Sequence, residues 1–262
     1  MASKIEWTEE TRNVFVGCSK TSPGCKNCYA EKMARRLKAM GNPHYGVVID
    51  DNGKWNGKVH FVGDAIAKML RSRKPKMIFV NSMSDTFHES VPVEWLDKLW
   101  NVMGQTRWNT YQILTKRAKR MYEYLKDKEP LPNVWCGVSV ENQAAADERI
   151  PFLLQTPAAI RFLSCEPLLG PIDLDGYIGT ELQLSDYDFD IGDGVDFVIV
   201  GGESGPKARP CHPDWVRSIR DQCQLFEVSF FFKQWGGTNK KKSGNLLDGK
   251  VWQQMPQMME AQ

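Results

Sequence analysis

Three cysteines stand close together near the start of the chain. Cys18, Cys25 and Cys28 form a C-x6-C-x2-C arrangement within GCSKTSPGCKNCYAEKM, a stretch whose serine, proline and glycine content marks it as a loop. Thiolates are soft ligands suited to iron–sulfur clusters or zinc, and close spacing lets one loop bring three of them to one site. A fourth ligand is missing locally. Structural zinc sites close with four protein ligands, yet the next histidine, His44, follows only after a helix-length segment. A cubane cluster held by three cysteines leaves one iron open to a substrate or cofactor. The alternative is a zinc or structural cluster completed from a distance by His44, Cys211 or His212. Cys136, Cys165 and Cys223 stand singly in or beside apolar segments and read as buried thiols, while Cys211 in RPCHP fits either role.

A loop of this kind needs a scaffold, and the chain offers a repeated one. Apolar runs at 13–19, 76–85, 110–117, 133–142, 159–167, 196–205 and 228–237 are nearly continuous, as in parallel strands covered on both faces. Helix-like segments follow most of them, including CYAEKMARRLKAM, where Ala30, Met33, Ala34 and Leu37 share one apolar stripe able to pack on a sheet. This alternation predicts an α/β fold, a partial or complete parallel β/α barrel of about six or seven strands. A barrel is favoured over an open doubly wound sheet because almost every strand ends in polar residues, and barrel sites gather at the C-terminal ends of all strands. The whole chain, 1–262, reads as one domain with surface insertions near 41–57 and 179–194.

Those strand ends carry the other candidates. Asn81, Ser84 and Asp85 in NSMSD suit an amino group or ribose hydroxyls, or else cap the next helix. Gly201 and Gly202 permit close backbone approach to a ligand or simply make a tight turn, and Glu203 can accept from an amine or hydroxyl. Arg209 can form bidentate bonds to a carboxylate or lie solvated on the surface. Lys116, Glu166 and Lys233 at strand ends would point into one cavity as catalytic groups, or form structural ion pairs. Glu141 ends the fourth run in the same way.

Composition narrows the class without naming a partner. With 42% hydrophobic and 25% charged residues the chain is ordinary globular protein, and no apolar run approaches the roughly 20 residues that cross a bilayer. The start, MASKIEWTEE, lacks an apolar signal region, so a cytoplasmic, membrane-free protein is expected. Seven cysteines in such a chain point to metal binding or burial, not to a disulfide framework. A net charge of +2 is too mild to imply nucleic-acid binding by itself. RSRKPK (71–76), KRAKR (116–120) and NKKKSG (239–244) are solvated faces or phosphate contacts, with Trp235 or Trp252 as stacking partners.

Taken in order, GCSKTSPGCKNCYAEKM, FVNSMSDTF, QILTKRAKRM, GVSVEN, FLSCEPLLGPI, VIVGGESGPKARP and FFFKQWGG resemble the phage-associated three-cysteine-motif proteins, a family similar to radical S-adenosylmethionine (SAM) enzymes. The resemblance runs from about Trp7 to Gly237. It implies a barrel of radical SAM type in which Cys18, Cys25 and Cys28 hold a 4Fe–4S cluster and SAM occupies the open iron. It also implies SAM contacts from Asn81, Ser84, Asp85, Glu141, Gly201, Gly202, Glu203 and Arg209. Reductive cleavage of SAM to a 5′-deoxyadenosyl radical would then serve nucleotide or nucleic-acid modification or repair. An electron donor such as flavodoxin or ferredoxin, and room for a partner protein, follow from the same resemblance. Two features depart from the commonest pattern: the loop is longer than C-x3-C-x2-C, with Asn27 where an aromatic precedes the last cysteine, and NSMSD replaces the glycine-glycine-glutamate after the second strand. Two alternatives remain: a non-catalytic nucleic-acid-binding protein with a structural metal, and a barrel hydrolase or transferase with structural zinc.

Overall fold

Near-continuous apolar runs become strands because both faces of the sheet are covered. The computed structural model describes residues 5–179 and 194–256. In chain order its strands are β1 (Glu10–Thr11), β2 (Phe15–Val16), β3 (His60–Phe61), β4 (Met77–Val80), β5 (Thr110–Thr115), β6 (Val134–Ser139), β7 (Ile160–Cys165), β8 (Phe197–Gly201), β9 (Ser229–Gln234), β10 (Leu246–Leu247) and β11 (Lys250–Val251). The helices are α1 (Tyr29–Ala39), α2 (Pro43–Gly46), α3 (Gly63–Arg71), α4 (Val93–Gln105), α5 (Ala118–Leu125), α6 (Gln143–Leu154), α7 (Pro213–Leu225) and α8 (Lys240–Ser243). None of the described helices is long and apolar enough to cross a membrane.

Seven strands form one sheet in the order β1-β4-β5-β6-β7-β8-β9, every neighbouring pair parallel. The order never reverses, so right-handed crossovers keep the helices on one side and curl the sheet into a half-barrel. A doubly wound sheet would turn back at a switch point.

Alternation along the strands sorts the side chains. Outward residues such as Ile78, Val138, Leu163, Val200 and Phe232 join the helices in the main core. The inner face has two zones. Toward the strand starts lie Phe79, Trp135, Phe162, Phe197 and Phe231, and Trp7 closes this aromatic floor at 4.9 Å from the Phe79 ring. Toward the strand ends the same face turns polar, through Ser139, Ser164 and Glu166. The lower half is therefore a plug and the upper half a cavity.

Two expectations need correction. Residues 13–19 do not form the first sheet strand: β1, just before them, takes that edge, and β2 pairs antiparallel with β3. Two asparagine side chains replace the ladder there. Asn81 Oδ1 accepts from the amides of Val14 (2.6 Å) and Phe15 (3.1 Å), while Asn13 Oδ1 accepts from those of Ser82 (2.8 Å) and Met83 (3.0 Å). Helix α1 packs Ala30, Ala34 and half-buried Leu37 against Val16, Tyr45, Val48 and Ile49, not against the main sheet, and Met33 is 44% exposed. The stretch 41–57 contributes Tyr45, Val48 and Ile49 to this small core and closes on itself through the Ile49–Trp55 bridge. Of the second expected insertion, 179–194, only the ends lie within the described residues, where the Gly194 amide donates to the Gly179 carbonyl at 3.0 Å.

Candidate functional site

The three cysteines line one cavity of about 500 Å³ at the C-terminal mouth of the half-barrel. Cys18 follows the glycine that bridges to Ser84, Cys25 ends a one-turn 3-10 helix begun by Pro23, and Cys28 occupies the N-cap of α1. All are free thiols. Burial pushes Cys18 up to about 12, with Asp85 adding to the effect and Arg117 opposing it. Burial raises Cys28 as well, against the amides of Ala30 and Glu31. At Cys25 burial is outweighed by the Thr21 backbone hydrogen bond, the charge of Lys116 and the hydrogen bonds of Ser22, so its thiol lies below the usual range. Among the described residues no three Cys, His, Asp or Glu side chains converge closely enough to hold a metal ion. The thiols share a wall without being drawn to a point.

None of the three distant ligands weighed from the sequence reaches that wall. His44 Nδ1 lies 3.1 Å from His60 Nε2, His212 Nδ1 accepts from the Asp214 amide at the start of α7, and half-buried Cys211 packs behind Gly202. Among the described residues no histidine and no fourth cysteine lines the cavity.

Strand ends grip the cysteine loop. Buried Glu141 accepts from the Gly24 amide (3.2 Å) with one oxygen and from Lys116 Nζ and Arg149 Nη1 (both 2.9 Å) with the other. Burial alone would raise its pKa, but Lys116 and Arg149 hold it at about 2. Glu203 accepts from Asn27 Nδ2 (2.8 Å) and from Arg209, whose Nη1 donates to the Pro23 carbonyl (3.0 Å). It too is held at about 2 against burial, by Arg209 and Asn27. A third contact comes from Arg117, which donates to Ser19 Oγ (2.9 Å) and pairs with Asp85 (2.9 Å).

A family described as "Protein of unknown function (DUF5131)" matches residues 2–256. The chain belongs to this family. No curated protein matches it. Among solved structures it is similar to spore photoproduct lyase complexed with dinucleoside spore photoproduct, at 13% identity and a TM-score of 0.48, over 87% of this chain and 64% of that one. A point mutant of the same lyase gives 12% identity with the same coverage and TM-score. The chain thus spans about two thirds, 64%, of the length of the lyase it matches.

Asp85 is committed within the protein: Oδ1 accepts from the Phe87 amide (3.0 Å) and Thr115 Oγ1 (2.6 Å), and Oδ2 from the Lys116 amide (3.0 Å) and Arg117. Asn81 is committed to β2, and Ser84 Oγ donates to the Gly17 carbonyl at 2.7 Å. Gly201 and Gly202 serve different neighbours. A Cβ on Gly202 would meet the Trp235 carbonyl at 2.1 Å, whereas one on Gly201 would meet Glu166 Oε1 at 2.7 Å. Glu166 and Lys233 pair with each other inside the cavity at 2.8 Å. Lys116 lines the cavity but is tied to Glu141, so it does not join that pair.

Of the basic stretches, KRAKR is partly internal: besides Lys116 and Arg117, Arg120 donates to the carbonyls of His88 and Val91. Trp235 and Trp252 are half-buried: they donate to the carbonyls of Leu246 and Leu247, pack on Phe232 and Phe230, and Arg220 lies over the Trp252 ring. Sequence reasoning missed Asn27, Arg117, Arg149 and Trp7 as site residues. Asn27 had a signal, since it breaks the motif. Arg149, a cation amid the apolar positions of α6, offered a weaker one.

Proposed function

We propose that this chain is a radical SAM enzyme of one domain, in which Cys18, Cys25 and Cys28 hold a 4Fe–4S cluster and leave one iron for SAM. The observation that carries the reading is the cavity wall: three soft thiols and, among the described residues, no histidine or further cysteine to close the set. A donor set of three fits a cluster with an open iron and does not fit a closed structural zinc. When bound, the cluster and SAM supply reductive cleavage to methionine and a 5′-deoxyadenosyl radical that removes a substrate hydrogen atom.

The chain's own residues hold and shield that chemistry. Glu141, Glu203 and Arg117 brace the loop at Gly24, Asn27 and Ser19, on both sides of Cys25. In this reading Asn81, Asp85, Glu141 and Glu203 support SAM through the loop and strand ends they brace, since their oxygens already have protein partners. The aromatic floor keeps water out from below. The substrate class is a nucleotide or nucleic acid, and the phage setting belongs to the same sequence resemblance.

Anaerobic purification, iron and sulfide quantification, and EPR of the dithionite-reduced protein test the reading. The expected result is a reduced 4Fe–4S signal that SAM alters and that Cys25→Ala abolishes. Zinc without iron after reconstitution overturns it.

A further inference from the structure

The inner wall holds an ion pair that the cysteine loop does not use. Glu166 leaves β7 and Lys233 lies in β9, with β8 between them. Two local devices let them meet. Val200 pairs with Phe232 but Gly201 with Gln234, so Lys233 is the extra residue of a β-bulge, and both Lys233 and Gln234 line the cavity. Bulges beside active sites re-aim side chains in this way. On the intervening strand Gly201 has no side chain, and a Cβ there would collide with the Glu166 carboxylate.

The pair faces the cavity with bonding capacity to spare. Glu166 and Lys233 side chains are 15% and 17% exposed, and among the described residues Glu166 is the one ion-pair or hydrogen-bond partner of Lys233 Nζ. Glu166 Oε2 receives only long contacts from Trp7 Nε1 and Ser164 Oγ, both at 3.3 Å. Gln234, buried in the same wall, has an Oε1 without a partner. Trp7, Phe79 and Leu114 add apolar walls.

We propose that Glu166 and Lys233 bind the Watson–Crick edge of an unpaired nucleobase, a deepening that rests on the radical SAM reading above. Each base carries a hydrogen-bond donor beside an acceptor on that edge. The carboxylate accepts from the donor and the ammonium donates to the acceptor, while Trp7 and Phe79 give the ring a flat apolar neighbour. The edge must be free, so the substrate enters as a nucleotide, a single strand or a flipped-out base.

The test uses reconstituted, SAM-bound protein under anaerobic conditions. Calorimetry measures binding of single-stranded trinucleotides with a central thymine or adenine, and of the same strands methylated at thymine N3 or adenine N1. At least one parent strand binds, and methylation weakens it roughly 10-fold or more. Glu166→Gln and Lys233→Met each weaken it by about 10- to 100-fold, the range for hydrogen bonds to charged groups. Iron content and the SAM-dependent EPR change stay as in the unaltered protein, which separates this proposal from the cluster assignment. Absence of binding by both strands, or indifference to methylation, overturns the proposal. Variants that lose SAM affinity instead of strand affinity also overturn it and give the pair to SAM.

Discussion

Glu141 and Glu166 look alike in the sequence, each following an apolar strand, and the structure puts them to opposite uses. Glu141 is fully buried and is taken up by the cysteine loop and its neighbours, with one oxygen on the Gly24 amide and the other on two cations. Glu166 turns inward, has one cation and stays in contact with the cavity. A carboxylate surrounded by protein donors is part of the frame. One with a single cation, two long neutral contacts and an open side is available to a ligand.

The comparison breaks most sharply at Glu141. Glu141→Ala removes the buried carboxylate that Lys116 and Arg149 share and leaves Arg149 only the exposed Glu148 at 3.7 Å, a loss expected to cost about 3–5 kcal/mol in denaturant unfolding. Iron loading should fall with it, because Gly24 loses its acceptor.

Acid should find the same frame. The Glu141 pKa is about 2 in the folded protein against an ordinary 4.5, so its contribution is complete above pH 4.5 and is lost as pH falls toward 2. The loss is on the order of 2–3 kcal/mol, read as a falling denaturation midpoint over that window. Glu203 titrates in the same direction. In Glu141→Gln the slope should shrink.

The adjacent glycines sharpen the contrast at smaller scale. Gly202→Ala meets backbone and is expected to destabilise by about 1–3 kcal/mol, whereas Gly201→Ala meets the end of a side chain that can swing away. Gly201→Ala should therefore leave stability nearly unchanged and weaken ligand binding at Glu166. Glu166→Gln is the mildest, with a stability change of about 1 kcal/mol or less and unchanged iron content, since cavity water can solvate Lys233. A loss as large as that of Glu141→Ala would show that both carboxylates belong to the frame.

Six of the seven sheet strands were legible as apolar runs, because burial on both faces writes itself into composition. The cysteine loop was equally plain, since the spacing of its thiols is local. The seventh strand was displaced because Asn13 and Asn81 imitate a backbone ladder with their side chains, which no hydrophobic pattern records. The partner of helix α1 is not legible in the sequence, because the residues it covers lie in 41–57, a stretch whose polar and glycine content hides Tyr45, Val48 and Ile49.

By itself the sequence determined the parallel β/α architecture, the three-cysteine loop after the first segment, and a ring of polar strand ends. These follow from periodicity and local spacing. Only the tertiary structure decided which polar ends face the loop and which face the cavity, that among the described residues no histidine or fourth cysteine joins the three thiols on the cavity wall, and that a bulge in β9 and a bare Gly201 bring Lys233 to Glu166. Those are contacts between strands distant in the chain, set by register and curl, and a one-residue shift in register changes which face a side chain meets.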